Sequence, residues 1–148
     1  MKLSGKLALA AMMATLPMLG AFAQDDNDEV EAYLDADIVS QYMWRGIEKG
    51  GISIQPEAYV SWRGLTLRAE GNAGFNSADK KEIDLTLGYE RWGFNIGVID
   101  YWMSGVDKND RYFYYDTKGP HQIEVNFGYS WKYGSLQAYT IVYGNDYR

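Results

Sequence analysis

Nine carboxylates recur at alternate positions of short segments, Glu31, Asp35, Asp37, Glu57, Glu70, Glu82, Asp84, Glu90 and Glu124, and only two bases, Arg45 and Arg68, share their phase. Brought onto one strip, nine acids against two bases leave a surplus of seven negative charges. Beside a low-dielectric wall such a strip focuses a field that gathers cations and repels anions, as acidic rings do in cation channels. The chemistry on offer is therefore selection among ions in transit. The residues expected to line a lumen are Asp35, Asp37, Arg45, Glu57, Arg68, Glu70, Asp84 and Glu124, with the two arginines as counter-ions that order the acids. The plainer reading is that the same charges form the wet, structural face of a wall.

Covalent chemistry finds less support. His121 is the single histidine, and no Gly-x-Ser-x-Gly elbow exists. Ser130 stands nine residues along the same segment, roughly 30 Å away if each strand residue rises about 3.3 Å, far beyond hydrogen-bond reach. His121 is read as a residue at a loop rim. Asp107, Asn109, Asp110 and Asp116 lack the Asp-x-Asp-x-Asp-Gly spacing of a calcium loop and are read as solvated loop acids. No catalytic residue, metal site or cofactor is expected. The acidic balance, without a Lys/Arg cluster, argues against nucleic-acid binding.

Seven segments alternate apolar and polar residues, at 30–45, 53–62, 65–73, 82–90, 94–103, 121–130 and 135–143. Successive strand side chains point to opposite faces, so each segment makes one apolar and one polar surface. In the first, Val30, Ala32, Leu34, Ala36, Ile38, Tyr42 and Trp44 share a face. The fifth loses its phase near Ile99 and Asp100, which suggests a bulge. Pro56 interrupts the second, where it marks a bulge or the true start of the strand. Arg63-Gly64, Arg91-Trp92-Gly93 and Trp131-Lys132-Tyr133-Gly134 read as tight turns, whereas 46–52, 74–81 and 104–120 are longer and richer in charge. The expected fold class is all-β, an antiparallel up-and-down barrel with short turns at one end and long loops at the other, the first strand rising from the periplasm.

The start of the chain carries Lys2 and Lys6, an apolar run from Leu7 to Leu19 and Ala21-Phe22-Ala23, which together read as a cleavable signal peptide over 1–23. Its removal takes away two lysines and moves the formal charge from −6 to −8. Residues 24–29 read as an acidic periplasmic tail and 30–148 as a partial barrel. There are no cysteines, so an exported chain of this size must be held by something other than disulfides.

Alternation alone does not say whether the apolar face meets lipid or a protein interior. The rings decide the expectation. Trp62, Tyr89, Trp92, Phe94, Tyr129 and Trp131 lie near the tight turns and Tyr42, Trp44, Phe75 and Trp102 near the long loops, with Leu, Ile, Val and Ala between. Trp and Tyr favour the headgroup level, so Tyr42, Trp44, Trp62, Tyr89, Trp92, Tyr129 and Trp131 are expected to form aromatic girdles around a lipid-facing band. The expected location is the bacterial outer membrane, the expected partners its lipid, small polar solutes and the barrel-assembly machinery.

The stretch Ser40-Gln41-Tyr42-Met43-Trp44-Arg45-Gly46, with Ile54-Gln55-Pro56 and Ile83-Asp84-Leu85-x-x-Gly88-Tyr89, resembles the TorF-type porin family of outer-membrane barrels, most clearly from Leu34 to Met103. The resemblance implies a longer protein of about 10–12 strands, because seven up-and-down strands place the first and last parallel whereas such barrels use an even, antiparallel number. With the acidic strip, the expected function is passive, weakly cation-preferring diffusion of small polar solutes. The alternatives are a structural or interaction barrel with a filled lumen, and a soluble exported barrel that binds a ligand.

Overall fold

The computed structural model describes residues 29–106 and 111–144. The expected signal peptide, most of the acidic tail, and Asp107, Asn109 and Asp110 lie outside the described residues. Among the described residues nine strands follow one another, β1 (Glu31–Val39), β2 (Tyr42–Trp44), β3 (Ile47–Gly50), β4 (Ser53–Trp62), β5 (Leu65–Gly74), β6 (Lys81–Arg91), β7 (Phe94–Met103), β8 (His121–Trp131) and β9 (Gly134–Tyr143). Seven form one antiparallel sheet in the order β1-β4-β5-β6-β7-β8-β9, and β2 with β3 makes a separate two-stranded hairpin. Chain neighbours are sheet neighbours throughout, apart from the hairpin inserted between β1 and β4. The terminal strands β1 and β9 are not paired with each other.

The tight turns explain why the strands end where they do. Arg63-Gly64 and Trp92-Gly93 hold φ of 49° and 84°, and 54° and 81°. Two successive positive φ angles make the two-residue turn whose twist suits a right-twisted hairpin, and glycine fills the second place without a Cβ clash. At Gly64 a Cβ would also lie 2.2 Å from the Glu90 carbonyl oxygen, so the backbone of β6 leaves no room for one.

Burial along the strands is inverted relative to a protein in water. Leu34 is 82% exposed, Leu67 55% and Ile96 53%, while Thr66, Thr86, Glu124 and Asn126 on the opposite face are each 3% exposed or less. Among the described residues the only large apolar side chains that are buried are Tyr101, Trp102 and Met103. The sheet curls around its polar face, and its aliphatic face is bare. At ~25 cal/mol per Å² of apolar surface, water is a poor solvent for a face of this extent, which needs a partner phase.

Three expectations from periodicity are corrected. The first strand stops at Val39, not at residue 45: the chain bends at Ser40-Gln41, and Arg45 and Gly46, with φ of 45° and 81°, then fold Tyr42–Trp44 back on Ile47–Gly50. The alternation continues through that stretch but serves the hairpin rather than the sheet. β7 carries no bulge: its register with β6 and β8 is continuous, so Ile99 and Tyr101 fall on the polar face and Asp100 and Trp102 on the apolar one. The register shift lies between β8 and β9 instead, where Glu124 pairs with Ile141 but Ile123 with Tyr143. Pro56 neither bulges nor starts its strand. It pairs with Ala36 of β1, the ladder to β5 is interrupted beside it at constant register, and Gly71 faces it where a Cβ would come within 3.1 Å of the proline ring.

Candidate functional site: the polar face and the hairpin across it

The β2–β3 hairpin folds onto the concave polar face near the loop end. Its side chains, not its backbone ladder, hold it there. The Tyr42 hydroxyl donates to Glu82 Oε2 of β6 at 2.7 Å. The Arg45 guanidinium spans to β8, with Nη2 to Glu124 Oε1 at 2.6 Å and Nη1 to Oε2 at 3.1 Å. It also lies 4.3 Å from the ring centre of Tyr139 on β9 and 4.5 Å from that of Trp44. Arg45 thus enters from the β1–β4 edge of the sheet and reaches its opposite edge, some four strand spacings away at about 4.8 Å each along the sheet. Only a curled sheet brings these groups together.

The two-pronged pairing of a planar guanidinium with a carboxylate is the strongest ion-pair geometry that side chains offer. Burial is the largest single influence and works against the Arg45 charge, but the hydrogen bonds and charge of Glu124, with the Tyr101 and Tyr139 oxygens, together outweigh it, so the group is held above its ordinary value. The Tyr101 hydroxyl adds a donor to Glu124 Oε1 at 3.1 Å. A nearly buried carboxylate is thereby satisfied from two sides.

A second cluster lies toward the β1 edge. Arg68 Nε donates to Glu57 Oε1 at 2.8 Å, and Nη1 lies 3.6 Å from Glu70 Oε2. The Tyr33 hydroxyl donates to the same Glu57 oxygen. Between the clusters is a cavity of about 420 Å³ that Asp35, Asp37, Arg45, Glu57, Arg68, Glu70 and Asp84 all line. Glu124 stands behind Arg45. The residues expected at a lumen are thus assembled around one space, six carboxylates including Glu82 against two guanidiniums, together with the rings of Tyr42, Trp44, Tyr101 and Tyr139.

The expected girdles fare unequally. Trp62, Tyr89, Trp92, Tyr129 and Trp131 are exposed on the apolar face at the turn end, where Phe94 and Tyr129 stack at 4.5 Å. Tyr42 and Trp44 do not join a second girdle: they belong to the hairpin and line the polar cavity. Trp102 is covered as well. Tyr33 was legible in the phase of Asp35 and Asp37 yet missed, because a tyrosine among acids carries no charge signal. Tyr101 escapes a reading by phase because the alternation of β7 fails at Ile99, and only the continuous register puts it on the polar face.

One polar group on the apolar face was not foreseen. Asp100 points there beside His121, which starts β8 and is fully buried. His121 Nδ1 lies 2.8 Å from Asp100 Oδ1, and Nε2 meets the Tyr112 carbonyl. Tyr115 stacks on the ring at 3.9 Å and donates its hydroxyl to Asp100 Oδ2 at 2.7 Å. With both nitrogens engaged, neither is aimed at a nucleophile. Asp116, the one acid of the long loop among the described residues, accepts from the Lys118 amide at 2.9 Å and stabilises the turn there.

No family model, curated protein or solved structure matches the chain.

Proposed function

We propose that the chain forms part of the wall of an outer-membrane β-barrel that lets small polar solutes diffuse along its polar face, with a weak preference for cations. The observation that carries this reading is the inversion of burial: a bare aliphatic face backs a shielded, carboxylate-rich one. A hydrocarbon phase removes the cost of the first, and a closed sheet satisfies its backbone groups without disulfides. The belt of Trp62, Tyr89, Trp92, Tyr129 and Trp131 suits the headgroup level. The porin resemblance of the 40–46 stretch belongs to the same reading. Reversal potentials in planar bilayers under a salt gradient test it, with cation preference expected and anion preference contrary to it.

The filled-lumen alternative has one observation in its favour, the hairpin across the polar face with its Arg45–Glu124 pair. A chain that requires detergent and migrates heat-modifiably on gels, yet never conducts, would be such a structural barrel. A chain soluble without detergent would overturn both.

A further inference from the structure

The hairpin is bound to the wall through side chains rather than through a backbone ladder. Its two strands share no ladder with the seven-stranded sheet, and an isolated two-stranded hairpin is marginal by itself. What it delivers to the wall is a guanidinium, seated as a bound ligand would be: two parallel hydrogen bonds to Glu124, a third donor on the same carboxylate from Tyr101, and the face of Tyr139 at 4.3 Å. Glu124, Tyr101 and Tyr139 belong to β8, β7 and β9, so this seat is built into the wall and does not move with the hairpin.

We propose that Glu124, Tyr101 and Tyr139 form a guanidinium-binding subsite of the lumen, which Arg45 occupies as a tethered plug and which a solute bearing a guanidinium group takes when the hairpin withdraws. The proposal rests on the solute-path reading above. The fork geometry and the flat ring select a planar guanidinium over a compact ammonium, which pairs with a carboxylate as a point charge and stacks less well. The surplus of carboxylates around the cavity supplies the cationic solute locally.

Arg45 sits at φ 45° beside Gly46, so Arg45→Gly removes the plug while suiting the turn, and Arg45→Asn, also at home at positive φ, is the second variant should the first not fold. Titration calorimetry of methylguanidinium against the full chain in detergent micelles is the test. Arg45→Gly is expected to bind it and the parent chain not. Adding Glu124→Gln to Arg45→Gly should weaken binding by more than about tenfold, the scale of a charge-assisted pair, and methylammonium should bind the single variant more weakly than methylguanidinium. Equal binding by parent and variant, absence of binding by both Arg45 variants, or binding indifferent to Glu124→Gln would overturn the subsite. Planar-bilayer recordings separate the two readings. Conductance that rises in Arg45→Gly and is blocked by methylguanidinium supports both. Silence of parent and variant alike, with binding intact in micelles, overturns the solute path and upholds the subsite.

Discussion

The two ends of the sheet treat their surfaces oppositely. At the turn end, three two-residue connections lay no loop over either face, and Trp62, Trp92, Phe94 and Trp131 stand in the open on the apolar side. At the loop end cover is present on both sides: the β2–β3 hairpin lies on the polar face, and residues 111–120 fold over the apolar face above Trp102 and His121, while Ile38 and Phe75 farther along that face stay exposed. The difference follows from where polar atoms fall. Nothing charged lies on the apolar face between Ile83 and Tyr89 of β6 or between Phe94 and Val98 of β7, but the unbroken register of β7 turns Asp100 outward. A carboxylate exposed on a surface that faces hydrocarbon is costly unless paired. The loop brings it His121 and the Tyr115 hydroxyl, and the rings of Tyr112 and Tyr115 cover the pair.

The largest effect is expected from placing a charge where no loop can cover it. Leu87 lies midway along β6, 53% exposed and paired with Leu67 and Val98. Leu87→Arg should cost about 2–4 kcal/mol, the penalty for a basic residue at mid-depth on a lipid face. Equilibrium unfolding in lipid vesicles measures it. A neutral or stabilising result would place this face in water and remove the contrast between a bare and a covered end.

Next in size is His121→Ala, which leaves Asp100 with one partner and Tyr115 without the ring it stacks on. A loss of about 2–3 kcal/mol is expected, mainly the desolvation of a carboxylate that has lost a charged hydrogen bond. The segment 111–120 should become sensitive to protease while the strands at the turn end stay protected. If Asp100→Ala is added, the double variant should lose less than the sum of the two single losses, because the substitutions share one interaction. Full additivity would mean that the pair does not hold the loop.

Most of the sheet was legible because a period of two is a strong signal over ten residues: β4 and β7 carry the expected bounds, and the other long strands past the first end within one residue of theirs. The carboxylates of the polar face were legible for the same reason, since parity alone assigns Asp35, Glu57, Glu70 and Asp84 to one side. Parity cannot reveal where a chain leaves the sheet. Tyr42 and Trp44 continue the phase of Ile38, but the bend at Ser40-Gln41 and the turn at Arg45-Gly46 take them into the hairpin. Nor can it distinguish a bulge from a buried exception. Asp100 breaks the apolar pattern in either case, and the answer lay in the sequence-distant residues Tyr115 and His121, which no local window joins to it. The Arg45–Glu124 pair, 79 residues apart, was out of reach in the same way.

The smallest effect probes the loop end by its finest contact. Tyr115→Phe keeps the stacked ring on His121 and deletes the hydroxyl that donates to Asp100, so about 1 kcal/mol should be lost, the worth of one hydrogen bond to a charged acceptor that keeps another partner. Burial first, and then the hydrogen bond to Asp100, raise the Tyr115 phenol above its ordinary value. A group whose value is higher in the folded chain stabilises the fold while protonated. Its contribution is therefore complete below the ordinary tyrosine range near pH 10 and disappears as the pH climbs through the raised value. In a spectrophotometric titration of the folded chain in micelles, Tyr115 should ionise above the ordinary tyrosine range, and Tyr115→Phe should remove that late step. The stability gap between parent and variant should then narrow in strong alkali. A late step that persists in the variant would assign it to another tyrosine, and a gap insensitive to alkali would mean that the hydroxyl contributes nothing to holding the loop over Asp100.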